Sequence, residues 1–175
     1  MSCNVFYPDE ESKLLGVVLV NSGRNGLNDI LSIKGKLEQL NIPVVVSIQK
    51  DDKEYYADHF LPNEIFIALE SVEWPLAGLL SVHTQFTESD ILVVNENFQN
   101  EDVDLVKLID TYQEKAGEHD FLVCQKESTL TSGVGIYTAE GLSKIVSLLS
   151  AGLLENQQLT HILEIGNTLG LEINN

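Results

Sequence analysis

Residues 14–20, LLGVVLV, make an apolar run with no polar alternation. A strand wetted on one face alternates, whereas continuous runs of this length belong to parallel sheets covered by helices on both sides. After the run come a turn holding Gly23 and Gly26 and then a helical pattern over Leu27–Leu40. That pattern carries Leu27, Ile30, Leu31, Leu37 and Leu40, with Gly35 interrupting it. Strand, glycine-bearing turn and helix form the unit at which an α/β protein commonly holds a phosphate. The first helical turn leaves backbone N–H groups unpaired at the positive end of the dipole. Here the charged side chains of the turn are Arg24, the chain's one arginine, and Asp29, and the turn carries no lysine.

The alternation continues along the chain. Ile42–Ile48, Glu64–Leu69, Asp90–Val94, Phe121–Cys124 and Val134–Tyr137 read as further strands. Asp51–His59, Pro75–Phe86, Asn100–Lys115, a segment capped by Thr138 and stopped near Gly152, and Asn156–Ile165 read as helices. Asn100 is the expected N-cap of the third of these, with Glu101 and Asp102 at its positive end and Val103, Val106 and Ile109 on its inner face. The pattern predicts a three-layer α/β/α fold with a mostly parallel, Rossmann-like sheet. Ligands of such sheets lie beyond the carboxyl ends of the strands, near a topological switch point. A site is therefore expected in the loops after Val20, Leu69 and Val94 and around Gly133. Residues 1–12 read as a loose acidic leader and residues 13–175 as one domain.

Charge narrows the function. Ten basic residues against 27 acidic ones leave a formal net charge of −17. Nucleic acid is therefore a poor partner and none is expected, because its binding depends on clustered Lys and Arg. The same field opposes a free nucleoside triphosphate unless Mg²⁺ or a local basic pocket offsets it. No run approaches the roughly 20 apolar residues of a membrane span. The N-terminus has no basic-then-apolar export pattern, so no membrane association and a cytoplasmic location are expected. Cys3 and Cys124 make neither a disulfide framework nor a metal cluster, and His59, His83, His119 and His161 show no metal-ligand spacing.

Several segments, in order, resemble the molybdenum cofactor guanylyltransferases, members of the wider sugar-nucleotidyltransferase-like group. Pro75-Leu76-Ala77-Gly78-Leu79-Leu80-Ser81 resembles the family's Gly-Pro-Leu-Ala-Gly-Leu-x-Ser segment and is the most specific match. Ile91–Phe98 (ILVVNENF) stands in place of the strand ending Asp-Met-Pro-Phe, and Gly133–Tyr137 is similar to a Pro-Leu-x-Gly-x-Tyr segment. The first turn occupies the position of the Leu-Ala-Gly-Gly-x-Ser-x-Arg-Met-Gly-x-Asp-Lys signature. The likeness spans residues 14–150 and implies a nucleotidyltransferase-type domain that handles GTP, Mg²⁺ and molybdopterin.

Departures fall where the chemistry would be. With Arg24 and Gly26 aligned, Asn28 replaces the signature's aspartate and Asp29 its lysine. Asn21 and Ser22 stand near the paired glycines. Asn95 occupies the place of the magnesium-binding aspartate, and Glu70 is the nearest acidic residue after the third strand. Asp29 would repel phosphate oxygens that a lysine would neutralise, and Asn95 could offer a metal only a carbonyl oxygen. The resemblance thus implies a candidate nucleotide pocket of Ser22, Gly23, Arg24, Gly26, Glu70 and Gly78, with Asn95 as the residual metal position and Mg²⁺ required only if the chain is active. Two readings follow. In one, the chain is catalytically degenerate and binds a nucleotide, a pterin or a protein partner; in the other, it transfers GMP from GTP to molybdopterin through rearranged groups. Bland alternatives stand beside the site residues: an ordinary Asn25-Gly26 turn, a strand-end Asn95, and small residues Ala77 and Gly78 that pack a helix closely on the sheet.

Overall fold

The computed structural model describes residues 14–21, 26–96 and 103–173. Seven strands lie in one sheet: β1 (Leu14–Leu19), β2 (Val44–Ile48), β3 (Ile65–Ile67), β4 (Asp90–Asn95), β5 (Phe121–Lys126), β6 (Thr129–Tyr137) and β7 (Thr168–Glu172). Among the described residues six α-helices accompany them: α1 (Leu27–Gln39), α2 (Lys53–Ala57), α3 (Leu76–His83), α4 (Leu105–Glu114), α5 (Ala139–Ser150) and α6 (Leu159–Ile165). The strand order is β3-β2-β1-β4-β6-β5-β7, and all pairings are parallel except those of β6 with β4 and β5. This is the expected mostly parallel α/β sheet.

Alternate strand residues feed two cores. Val18, Val46, Leu92 and Ile136 point to the side covered by α1, α2 and α4. Val17, Val45, Val93 and Val123 point to the side covered by α3, α5 and α6. Both faces of β1 are buried, which is why its sequence does not alternate.

Helix faces differ in detail from the sequence expectation. In α1 the buried stripe is Ile30, Ile33 and Leu37, while Leu31 and Leu40 stay exposed. The i, i+3, i+7 set holds one face, and Leu31 lies about 100° off it. In α4 the inner residues are Leu105 and Leu108, and Val106 is exposed. That helix starts at Leu105, with the Asp104 carboxylate accepting the Lys107 N–H at 3.1 Å. Asn100, Glu101 and Asp102 lie outside the described residues, as does the 1–12 leader. Thr138 does cap α5, accepting the Gly141 N–H at 3.0 Å. Two strands exceed the expectation: β6 begins at Thr129, and β7 adds an edge the sequence reading left unassigned. No helix among the described residues is long and apolar enough to cross a membrane.

Candidate functional site

The chain runs β1-β2-β3 to one side of the sheet and then returns to place β4 on the other side of β1. The topological switch point is therefore the β1–β4 boundary, where Leu19 pairs with Asn95. α1 starts just beyond β1, with Gly26 as its N-cap residue and, among the described residues, no side-chain cap. Asp29 sits in that turn. The N-terminal N–H groups of a 13-residue helix thus face the same edge as the ends of β1 and β4.

Two residues of β4's carboxyl end define the geometry. Asn95 is half-buried, and its side-chain amide lies against Gly133 of β6, where any Cβ would collide with Asn95 Nδ2. The antiparallel direction of β6 is what brings Gly133 to this edge, one residue beyond the Val94–Val134 pair. Glu96 turns toward α1: its Oε2 would lie 3.9 Å from a Cβ built on Gly26. Burial pushes the Glu96 carboxyl above the ordinary carboxylate range, and the Asn21 backbone N–H it accepts only partly opposes that shift. On the α2 side, burial raises the Tyr56 phenol to about 12, with Asp52 and Glu96 adding to the effect.

The remaining sequence candidates have separate neighbours. Glu70 follows β3 and accepts a hydrogen bond from Lys50 at 2.8 Å, both side chains being largely exposed. The Lys50 contact holds the Glu70 carboxyl below its usual range. Gly78 belongs to α3 on the opposite sheet face. A Cβ there would stand 2.6 Å from the Trp74 ring and 3.0 Å from Ser47 Oγ. Its carbonyl accepts both the Ser47 hydroxyl (3.0 Å) and the Ser81 hydroxyl (2.7 Å). Glycine at position 78 therefore permits close helix–sheet packing and satisfies two buried hydroxyls, a structural role complete without a ligand. Ser22, Gly23 and Arg24 lie outside the described residues.

The structure thus brings Gly26, Asn21 and Glu96 together, places Asn95 beside them in the chain, and gives Glu70 and Gly78 other partners. Glu96 is the residue the sequence reading passed over. Aligned to a family motif it fell on a methionine; read as the first carboxylate beyond an apolar strand next to β1, it could have been found. Ser47 was also legible as the one polar residue in the run Ile42–Ile48. As for metal, the described residues contain no group of three or more His, Cys, Asp or Glu able to hold an ion. Among the described residues at this edge, Asn95 offers a metal only an amide oxygen and Glu96 is the single carboxylate beside it, raised by burial.

No protein-family model matches the sequence, and no curated protein matches it. Among solved structures, the chain is similar to the Aquifex aeolicus VF5 protein Aq1419, at 18% identity and a TM-score of 0.56. The match covers 94% of this chain and 90% of that one. At that identity the likeness speaks for the fold alone.

Proposed function

We propose that this chain is a nucleotidyltransferase-type domain related to the molybdenum cofactor guanylyltransferases, catalytically degenerate, and that it acts by binding a nucleotide at the β1–β4 switch point. A pterin or a protein partner is the alternative occupant. The observation that carries the reading is Asn95. It ends β4 beside β1, at the position where the resemblance calls for a magnesium-binding carboxylate, and its amide packs on Gly133. Nucleotidyl transfer depends on charge stabilisation of phosphate oxygens. A neutral amide at the strand end and an acidic Asp29 in the first turn of α1 both work against it. What remains is the scaffold: the N-terminus of α1, with a glycine at its start, facing the ligand edge of the sheet.

A second reading, active guanylyl transfer from GTP to molybdopterin, is favoured by Glu96 alone, a carboxylate one residue beyond Asn95 that faces Gly26. Calorimetric titration with GTP, with ATP and CTP as controls and with and without Mg²⁺, separates the outcomes. Guanine-selective binding without Mg²⁺ dependence supports the degenerate binder. Mg²⁺-dependent binding transfers support to the enzyme. No heat at millimolar nucleotide overturns both and leaves the protein-partner alternative. Restoring charge with Asp29→Lys and Asn95→Asp together is expected to tighten nucleotide binding; an unchanged affinity in a folded double variant sinks the lost-charge explanation.

A further inference from the structure

At the other edge of the sheet, beneath the last turn of α4, lies a cavity of about 160 Å³. Its lining is apolar at the floor: Phe121, Leu122 and Ile136 are buried behind it and half-buried Leu169 is the most open of the four. That volume is close to the roughly 150 Å³ of an engineered apolar cavity that takes up benzene, so one six-membered ring fits. Two basic side chains, Lys115 and His119, stand among its lining residues.

The acidic groups nearby are already engaged. Asp90 lines the cavity, but one of its oxygens accepts the Ala139 N–H at 2.7 Å and the other the Tyr112 hydroxyl. Burial, reinforced by Asp90, keeps the Tyr112 phenol protonated and in the donor role. Glu118 approaches Lys115 at 3.7 Å, yet the two side chains are 56% and 48% exposed. Exposed pairs of this kind contribute about 0–1 kcal/mol, so a ligand carboxylate can displace Glu118 at little cost.

We propose that this cavity is a binding site for a small ring acid, a single six-membered ring or a branched hydrocarbon of that size bearing one carboxylate. The ring lies on Phe121, Leu122, Ile136 and Leu169, and the carboxylate meets Lys115 and His119 at the mouth. In a chain of net charge −17 the general field repels anions. Binding here therefore depends on the Lys115 ammonium, on a hydrogen bond from the His119 ring and on apolar burial together. The site is independent of the nucleotide reading, since it lies across the sheet from the β1–β4 carboxyl ends.

The test uses benzoate as probe against the isotopically labelled full chain, following backbone amides by NMR, with benzyl alcohol and benzylamine as comparators. Saturable millimolar shifts with benzoate, centred on Gly117, Ile136 and Leu169 and weaker with both comparators, are expected. Lys115→Glu, at an exposed position, is expected to weaken benzoate roughly tenfold by removing one attraction and adding one repulsion. Leu169→Phe should fill the cavity and abolish binding in a chain that still melts cooperatively. Absence of saturable shifts, benzylamine or benzyl alcohol binding as tightly as benzoate, or a Lys115→Glu affinity equal to the parent's would each overturn the assignment.

Discussion

The two edges of the sheet treat their acidic residues in opposite ways. At the amino edge, Asp120 is drawn into a closed set of contacts. Lys144 Nζ donates to it at 2.8 Å and the Asn167 backbone N–H at 3.1 Å, while its own carbonyl accepts the Thr138 hydroxyl at 2.8 Å. Burial by itself would raise the Asp120 carboxyl; the Lys144 and Asn167 hydrogen bonds and the Lys144 charge outweigh it and hold the group below its usual range. At the carboxyl edge, Glu96 has among the described residues a backbone donor, Asn21, and no outweighing cation, and burial pushes its carboxyl up. One edge uses charge to tie β5, α5 and β7 together. The other keeps a carboxylate in a surrounding that disfavours its ionised form, an arrangement commoner at functional sites than in structural clamps.

The contrast is sharpest at Asp90, which joins β4 to α4 and α5. Asp90→Ala removes the acceptor of both the Tyr112 hydroxyl and the Ala139 N–H, and a loss of about 2 kcal/mol is expected in chemical denaturation, from two half-buried donors left without it. A loss under about 1 kcal/mol would mean that water replaces the carboxylate and that the amino edge is not a clamp.

A smaller effect concerns His83, which is buried in α3 with no partner for Nδ1 in the structure and a 3.5 Å approach of Nε2 to Ser143. Burial lowers its proton affinity. The folded chain therefore favours the neutral ring, while the unfolded chain takes up a proton below the ordinary histidine pKa of about 6.5. Its contribution to stability is complete above that value and is lost as pH falls from there through the lower, folded-state pKa. Thermal melts of the parent should fall across that window, and His83→Gln should flatten the fall.

The smallest effect separates the edges most directly. Glu96 has a raised folded-state pKa, so its ionised form costs stability once pH rises through that value; below the unfolded-state value the cost is absent. Glu96→Gln keeps an acceptor for the Asn21 N–H and removes the charge. A small rise in melting temperature at neutral pH, vanishing at about pH 4, is expected. A fall at neutral pH would place Glu96 among the structural carboxylates with Asp120 and end the contrast.

Most of the architecture was legible because apolar burial writes itself into residue order. β1, β2 and β4 are buried on both faces and read as unbroken runs, and α5 carried its cap and stripe openly. What was missed had weaker writing. β7 is only half-buried along the sheet margin, and the first half of β6, Thr129–Gly133, is polar and small. The α4 cap was misplaced because acidic residues precede the helix for several positions and any could serve. The position of Asn95 followed from strand order; that of Glu96 did not, since its meaning depends on where α1 begins. Nor could the sequence reveal the amino-edge cavity, whose walls come from α4, β4, β5, β6 and β7.

The reversed direction of β6 also bears on the order in which the sheet can form. β5 and β6 are consecutive antiparallel strands joined through Glu127 and Ser128, whose φ values of 48° and 64° are those of a tight primed hairpin turn. Hairpins close in roughly 1–10 μs. The parallel pairings of β1 with β2 and β4, and of β5 with β7, must first close loops spanning a helix or more, a larger entropic barrier. The β5–β6 hairpin therefore carries the smallest loop-closure cost of the sheet's pairings, and the β1–β4 boundary, whose strands are separated by β2, β3 and the helices between them, the largest. The candidate site stands at the pairing that restricts the longest stretch of chain.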